Sequence, residues 1–183
     1  MVLYHRTAID AAEDFLLEIV DYAYRKVAKL VSGKIKWVDA PTTAKDLQSE
    51  TKEAYFERNL ATIDFKIACS CISILQYLSD QVKHLSPAVL RHLHLENDTL
   101  MALVVLIEER PWLRKRPSDG AREKFEDSNW IEVKQGEKSK IPKLEAQVWI
   151  TLHTLLLAPE CAKNYEITDY RKNMLLRVEV SFM

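Results

Sequence analysis

Residues 56–78 read FERNLATIDFKIACSCISILQYL, and this stretch decides the fold class. Its apolar side chains recur every three to four residues, which is the period of one face of an α-helix. No glycine interrupts residues 1–32 or residues 34–119. The 183 residues contain 3 glycines, far below the average usage of about 7%. Because tight hairpins and phosphate-binding loops draw on glycine, the sequence predicts an all-α fold.

The same periodicity, read outward from this stretch, predicts about six helices. Thr7 and Asp10 stand in capping-box positions for the first helix, and Gly33 ends it. A second helical stretch covers residues 44–82. Residues 100–107 (LMALVVLI) are apolar all round, which predicts a buried helix, with a buried strand as the alternative. That helix starts at Asn97 or Asp98, and the remaining three start at Ser86, Pro142 and Thr168.

Consecutive helices with short links predict an armadillo-like or HEAT-like solenoid, with an antiparallel bundle as the alternative. An irregular insertion covers residues 111–142, within which residues 124–134 form either a small hairpin or an extended arm. The chain is expected to be one helical domain over residues 1–183, cut from a longer protein because it stops on apolar residues. The expected core contains Ile19, Val27, Ile67, Ile74, Leu103, Leu106, Val148 and Leu155.

Charge and cysteine content indicate the type of environment and partner. The formal net charge is -1, which argues against a chain whose whole surface binds nucleic acid. Residues 110–143 nevertheless hold ten basic and six acidic residues, a local charge of +4. The 3 cysteines are an odd number, and no segment resembles a signal peptide or reaches the ~20 uninterrupted apolar residues of a membrane span. A cytoplasmic location without membrane contact is therefore expected.

The sequence offers no catalytic residue, cofactor motif or metal-binding motif. Cys69 and Cys71 are two residues apart, so on a helix they face apart and are interpreted as buried thiols. His92 and His94 have the same spacing and are interpreted as surface or boundary residues. Nucleotide-binding glycine loops and nucleophile-elbow motifs are missing. An interaction module is therefore favoured, and an enzyme with a dispersed active site remains the alternative.

Residues 110–116, RPWLRKR, are the most distinctive short segment. A tryptophan inside a basic cluster is typical of a docking point for an acidic protein, or of a nucleic-acid contact as the weaker alternative. The structural interpretation, which is favoured over both, places the tryptophan in the core where the helix ends and leaves the cations solvated. The tentative partner-binding residues are Trp112, Arg114, Lys115 and Arg116.

Five segments, taken in order, resemble a known family. They read DFLLEIVDYAYRKVAKLV, DFKIACSCISILQYLSDQV, LIEERPWLRKR, KFEDSNWIEV and KLEAQVWITLHTLLLAPE. Together they are similar to the central part of the MYND-zinc-finger-containing axonemal dynein arm assembly factors. The resemblance covers nearly all of the chain and is weakest over residues 34–52 and 114–140.

This resemblance implies a cytoplasmic, non-enzymatic scaffold or co-chaperone that helps axonemal dynein heavy and intermediate chains mature before transport into cilia. The implied partners are a leucine-rich-repeat assembly factor, dynein chains and co-chaperones of the Hsp90 system, including an immunophilin. A MYND finger needs seven cysteines and a histidine for two zinc ions, which 3 cysteines cannot supply. Zinc is therefore expected only in a finger that this chain lacks, and no cofactor is expected here.

Overall fold

Helices form most of the computed structural model, which describes residues 6–41, 43–134, 136, 140–163 and 165–180. The first half contains α1 (Arg6–Ala11), a 3-10 turn (Glu13–Phe15), α2 (Leu16–Val31), α3 (Ala44–Ser49) and α4 (Lys52–Asp80). A 3-10 turn (Val82–His84), α5 (Pro87–Arg91), a π-helical turn (His92–Glu96) and α6 (Thr99–Glu109) follow. The chain continues through α7 (Lys143–Leu157), α8 (Pro159–Ala162) and α9 (Asp169–Val180).

The predicted helices are present, but two of them are divided. The first breaks between α1 and α2, and the helix expected over residues 44–82 breaks between α3 and α4. At the second break the Thr51 hydroxyl accepts a hydrogen bond from the Ala54 amide at 3.1 Å, so Thr51 caps the start of α4. Residues 100–107 are helical, which excludes the strand alternative. Parts of the first and last predicted helices, residues 1–5 and 181–183, lie outside the described residues.

One continuous core holds the helices together, with α4 at its centre. This helix packs against α2 and α7, and α6 packs against α2, α7 and α9. Five of the predicted core residues are buried, namely Val27, Leu103, Leu106, Val148 and Leu155. The other three, Ile19, Ile67 and Ile74, are partly buried and pack against the core. The predicted core is thus confirmed, with those three residues at its margin.

Helix α4 alone, among the described residues, has the length and apolar composition that a membrane span requires. Its most apolar 18-residue window has a mean hydropathy of 1.2, and 39% of that window is buried inside the protein. Phe65, Ile72 and Leu75 from this helix belong to the core cluster. In this structure α4 is thus the central core helix.

The all-α prediction is corrected by a small sheet inside the predicted insertion. Strands β1 (Leu113–Lys115), β2 (Arg122–Glu126) and β3 (Asn129–Glu132) form an antiparallel sheet in the order β1-β2-β3. In its register, Arg114 pairs with Glu123, and Lys124 lies between Leu113 and Ile131. The fold is therefore mostly helical with one three-stranded sheet, and the hairpin predicted within residues 124–134 is confirmed.

The hairpin turns without glycine, which explains why glycine scarcity did not exclude it. Asp127 and Ser128 connect β2 to β3, with φ angles of 49° and 66°. Positive φ at both central residues is the backbone of a type I′ turn, which matches the twist of paired strands. Aspartate tolerates this region better than most non-glycine residues. The solenoid arrangement of the helices stays a prediction.

Candidate protein-contact surface

The segment after α6 is fastened to the protein by Trp112. Its side chain is 0% exposed, and its indole N–H donates to Glu145 Oε2 on α7 at 3.3 Å. The Trp112 carbonyl accepts the Phe125 amide at 2.8 Å, which joins this segment to β2. Trp112 therefore lies in the core and is not part of an exposed contact surface, because a partner cannot reach its ring.

The inner face of the sheet is anchored by an aromatic cluster. Phe125 and Trp130 from the sheet contact Phe65 on α4 and Trp37 from the loop after α2. The ring centroids of Phe65 and Phe125 lie 5.0 Å apart at an interplanar angle of 87°, the edge-to-face arrangement that aromatic pairs favour. The sheet is thus held against the helices by its buried face, and its opposite face is turned outward.

Two of the predicted contact residues, Arg114 and Arg116, are held by acidic residues of the same chain. Glu123 is 5% exposed and accepts from Arg114 Nε at 2.8 Å and from Arg116 Nε at 2.7 Å. Arg114 also donates to Asp39, and its guanidinium lies 4.2 Å from the Trp130 ring centroid. The hydrogen bond to Glu123 and, to a smaller extent, the one to Glu132 raise the pKa of Arg116. These two arginines mainly stabilise the sheet.

The outer sheet face presents a different set of side chains. Side chains alternate between the two faces along each strand, so the residues next to Phe125 in β2, and their cross-strand partners in β1 and β3, lie on the side of the sheet opposite Phe125. Leu113 is 36% and Ile131 42% exposed, and they flank Lys124 across the strands. We define the outer sheet face as Leu113, Lys115, Arg122, Lys124 and Ile131; Glu126 and Asn129 lie on the same side of the sheet, next to the turn.

Lys115 and Arg122 are an unusual pair on this outer sheet face. They stand directly opposite each other across β1 and β2, and both are exposed. Like charges placed opposite in an antiparallel pair destabilise it. Lys124 pairs with Glu126 at 2.8 Å, whereas neither Lys115 nor Arg122 has an ion pair with any residue that the structure describes. An acidic partner would remove this repulsion.

Of the residues on this outer sheet face, sequence reasoning named only one. Lys115 was predicted, whereas Leu113, Arg122, Lys124 and Ile131 were missed. The signal that could have found them is the alternation of exposed and buried positions in REKFE and NWIE on either side of the turn. That alternation becomes informative only when the turn between the two strands is recognised.

The three cysteines are unreactive thiols at neutral pH. Cys69, Cys71 and Cys161 are free and buried, as interpreted from the sequence for the first two. Burial raises the pKa of Cys69 to about 12 and that of Cys71 and Cys161 to about 11. At neutral pH these side chains are protonated thiols, which are poor nucleophiles and poor metal ligands.

The histidines differ from each other in environment. His92 is half-buried and contacts Glu96 at 2.7 Å and Asp21 at 3.4 Å. His94 is 3% exposed, which corrects its predicted surface or boundary position. Neither His94 ring nitrogen has a hydrogen-bond partner in the part of the chain that the structure describes, so His94 is not paired with a nucleophile there. Within those residues, no group of three or more His, Cys, Asp or Glu is placed to hold a metal ion.

These features define a mainly helical protein that carries a small, basic, outward-facing sheet. The chain is similar to the zinc finger MYND domain-containing protein 10 homolog of Drosophila melanogaster, with 31% identity over 175 residues. The match covers 94% of this chain and 37% of the relative. The chain is thus similar over nearly its whole length to this relative, and the resemblance seen in the sequence is confirmed. It matches no protein-family model and no solved structure.

The chain spans about a third of the length of the curated relative it matches. The relative is named for a MYND zinc finger, which the 3 cysteines of this chain cannot form. The name describes a zinc-finger protein and no enzymatic activity. What the whole relative does, and with which partners, is therefore a matter of proposal for this chain.

Proposed function

We propose that the chain is a non-enzymatic, cytoplasmic scaffold or co-chaperone module that assists the pre-assembly of axonemal dynein arms. Its contribution is a protein–protein contact made by the outer sheet face. The proposal is supported by the relationship to zinc finger MYND domain-containing protein 10 and by the family resemblance of its segments. The partners that we propose are a leucine-rich-repeat assembly factor, dynein chains and Hsp90-linked co-chaperones.

The observation that carries this proposal is the unpaired Lys115–Arg122 pair beside exposed Leu113 and Ile131. A contact surface commonly combines an apolar centre with charged residues around it. Here Leu113 and Ile131 lie on either side of Lys124 in one cross-strand row, and the two cations lie on the next row. An acidic segment with apolar side chains would match both rows. Such charge complementarity mainly increases the encounter rate and the specificity of binding.

The outer sheet face is supported by buried contacts, and this support favours a role in binding. The buried ring cluster and the Glu123 ion pairs fix the three strands against α4 and α7 before any partner arrives. A surface that is already ordered loses little conformational entropy on binding. This arrangement is consistent with a module that recognises an acidic segment, folded or extended, without rearranging.

The test is a pull-down from ciliated-cell extract with the double variant Lys115→Glu, Arg122→Glu. We expect this variant to retrieve about tenfold less of the leucine-rich-repeat factor and the dynein chains, because it replaces two attractions with two repulsions. Raising the salt concentration should weaken capture by the unchanged chain in the same direction. Arg114 and Arg116 are left intact, since changing them would break the ion pairs with Glu123 and disturb the sheet itself.

The matched control reverses two exposed lysines elsewhere, Lys83→Glu and Lys172→Glu, and alters the net charge equally. This control should capture its partners as the unchanged chain does. Circular dichroism and a thermal melt establish that both variants are folded. If the folded Lys115/Arg122 variant retrieves the same proteins in the same amounts, the outer sheet face is not the contact surface.

A further inference from the structure

A second feature of the molecule lies away from the sheet, beside α5 and α8. It is a cavity of about 520 Å³. This is within the range of about 300–1,000 Å³ that small-molecule sites occupy. Its lining combines apolar walls with a few polar groups: Pro87, Leu90, Arg91, His94, Leu95, Glu160 and Cys161.

Two polar groups in this lining are buried without hydrogen-bond partners. His94 is 3% exposed, and both of its ring nitrogens are unpartnered among the described residues. Glu160 Oε2 is also buried and lacks a partner within that part of the chain. Buried polar atoms are almost always hydrogen-bonded in folded proteins. Three such atoms on two side chains of one cavity lining mark this lining as a candidate ligand site.

The charges around the cavity define the sign of that ligand. Burial lowers the pKa of His94 to about 4, with Asp98 opposing and Arg171 assisting this shift, so the imidazole is neutral at pH 7. Burial and the nearby Glu160 raise the pKa of Cys161 to about 11, so this thiol is neutral too. Arg91 lies at the rim, 71% exposed, and its nearest acidic partner is Glu96 at 3.5 Å. Among the described residues, Glu160 forms no ion pair, so its buried Oε2 has no counter-charge in this lining.

We propose that this cavity binds the ammonium group of an alkyl or arylalkyl amine. One ammonium N–H donates to Glu160 Oε2, and a second donates to the unprotonated ring nitrogen of His94. The hydrocarbon part of the ligand lies against Pro87, Leu90 and Leu95. A carboxylate ligand would face Glu160 with like charge, and a neutral alcohol would leave the carboxylate without a counter-charge.

The same ammonium chemistry occurs in free amines and in lysine side chains of proteins. The experiment therefore titrates the full chain with hexylammonium chloride and, separately, with Nα-acetyl-lysine amide. Binding is followed by the imidazole NMR signal of His94, which His94→Gln assigns by removing it, and by the thermal midpoint. We expect hexylammonium to move the His94 signal and raise the midpoint. Tighter binding of the lysine derivative would identify a lysine side chain as the natural source of the ammonium group.

Two comparisons make the test specific. Hexanoate has a hydrocarbon body of similar size with the opposite charge and should leave the His94 signal unmoved. Glu160→Gln keeps the shape of the side chain and should weaken hexylammonium binding by about tenfold. The matched control, Glu166→Gln, changes an exposed carboxylate outside the cavity and should leave the affinity unchanged.

A cavity-filling variant covers the case in which Glu160→Gln does not fold. Leu90 is half-buried in the cavity wall, and Leu90→Trp should occupy the space and abolish binding. The proposal is overturned if the unchanged chain shows no His94 shift with hexylammonium at concentrations up to about 10 mM. It is equally overturned if hexanoate binds as tightly as hexylammonium, or if folded Glu160→Gln keeps the original affinity.

Discussion

At the scale of single residues, Trp112 illustrates how a distinctive surface motif becomes a core residue. The surrounding basic residues suggested a docking point, yet the indole ring is buried and bonded to Glu145 on α7. The cations on either side extend outward from this anchor. The tryptophan therefore fixes the position of the segment, and the neighbouring exposed side chains are the ones that a partner can contact.

Replacing this ring should destabilise the protein strongly. Trp112→Ala removes a fully buried aromatic side chain, and such changes cost about 3–5 kcal/mol in unfolding free energy. Urea denaturation followed by circular dichroism measures the loss. Lys115→Ala, an exposed neighbour, should change the unfolding free energy by less than about 0.5 kcal/mol. A Trp112→Ala variant as stable as the unchanged chain would mean that the ring is not in the core.

His94 makes the stability of the protein depend on pH. Burial lowers the pKa of His94 from its ordinary value of 6.5 to about 4 in the folded state. Between those values the unfolded chain binds a proton that the folded chain does not, so stability falls as pH falls from 6.5 to 4. The full shift corresponds to about 3.5 kcal/mol at about 1.4 kcal/mol per pKa unit.

The measurement compares urea denaturation at pH 7 and pH 4.5 for three proteins. His94→Gln should lose less stability over this interval than the unchanged chain, because its side chain does not titrate. His153→Gln, a change at an exposed histidine, should keep the original pH dependence. Equal losses in the unchanged chain and His94→Gln would show that His94 does not carry the effect.

At the scale of elements, helix ends were among the best-marked features of the sequence. Gly33 stops α2 with a φ of 68°, which places it in the left-handed region. Its amide donates to the Leu30 carbonyl at 3.1 Å, and the Lys34 amide donates to the Lys29 carbonyl at 3.0 Å. This pair of bonds is the Schellman motif, in which glycine is preferred because it has no side chain to clash.

Gly33→Ala should therefore lower the unfolding free energy by about 1 kcal/mol, because an L-residue is strained at this φ. The added methyl group meets only the Lys36 side chain, at 3.5 Å, so the expected loss comes from the backbone. Gly136→Ala is the control, since its Cβ meets nothing within 4 Å and its φ is outside the positive region. Similar unfolding free energies for both variants would contradict the role of Gly33 as the helix stop.

At the scale of the whole molecule, the sheet and the helices share one hydrophobic core. Trp112 and Phe125 from the sheet region belong to the same cluster as residues of α2, α4, α6 and α7. A protein organised in this way is expected to unfold in one cooperative step. The sheet would then be part of a single domain, as the sequence predicted.

Two optical probes test this expectation. Trp37, Trp112 and Trp130 surround the sheet, so tryptophan fluorescence mainly reports on that region. Circular dichroism at the helical minimum reports on the helices. We expect the two urea transitions to coincide. A fluorescence transition at clearly lower urea would show that the sheet opens separately from the helical core.

The helices, their approximate ends and most of the core were predictable because the signals are local. Apolar residues repeat at helical spacing within α2 and α4, and Gly33 and Thr168 sit next to the ends they control. Thr168 indeed accepts a hydrogen bond from the Arg171 amide at 3.3 Å. The similarity to the Drosophila relative could likewise be predicted from the sequence, because it depends on the order of short segments along the chain.

The sheet and the composition of its outer face were decided by contacts between distant residues. The turn at Asp127 and Ser128 has positive φ angles that residue counts do not reveal, and β1 gains its role only by pairing with β2. That pairing turns Arg114 toward Glu123 and leaves Lys115 exposed, although the two are adjacent in sequence. Local periodicity in the sequence thus determined the helices. The tertiary structure, through the packing of the sheet against the helical core, determined which face of the sheet each charged residue lies on.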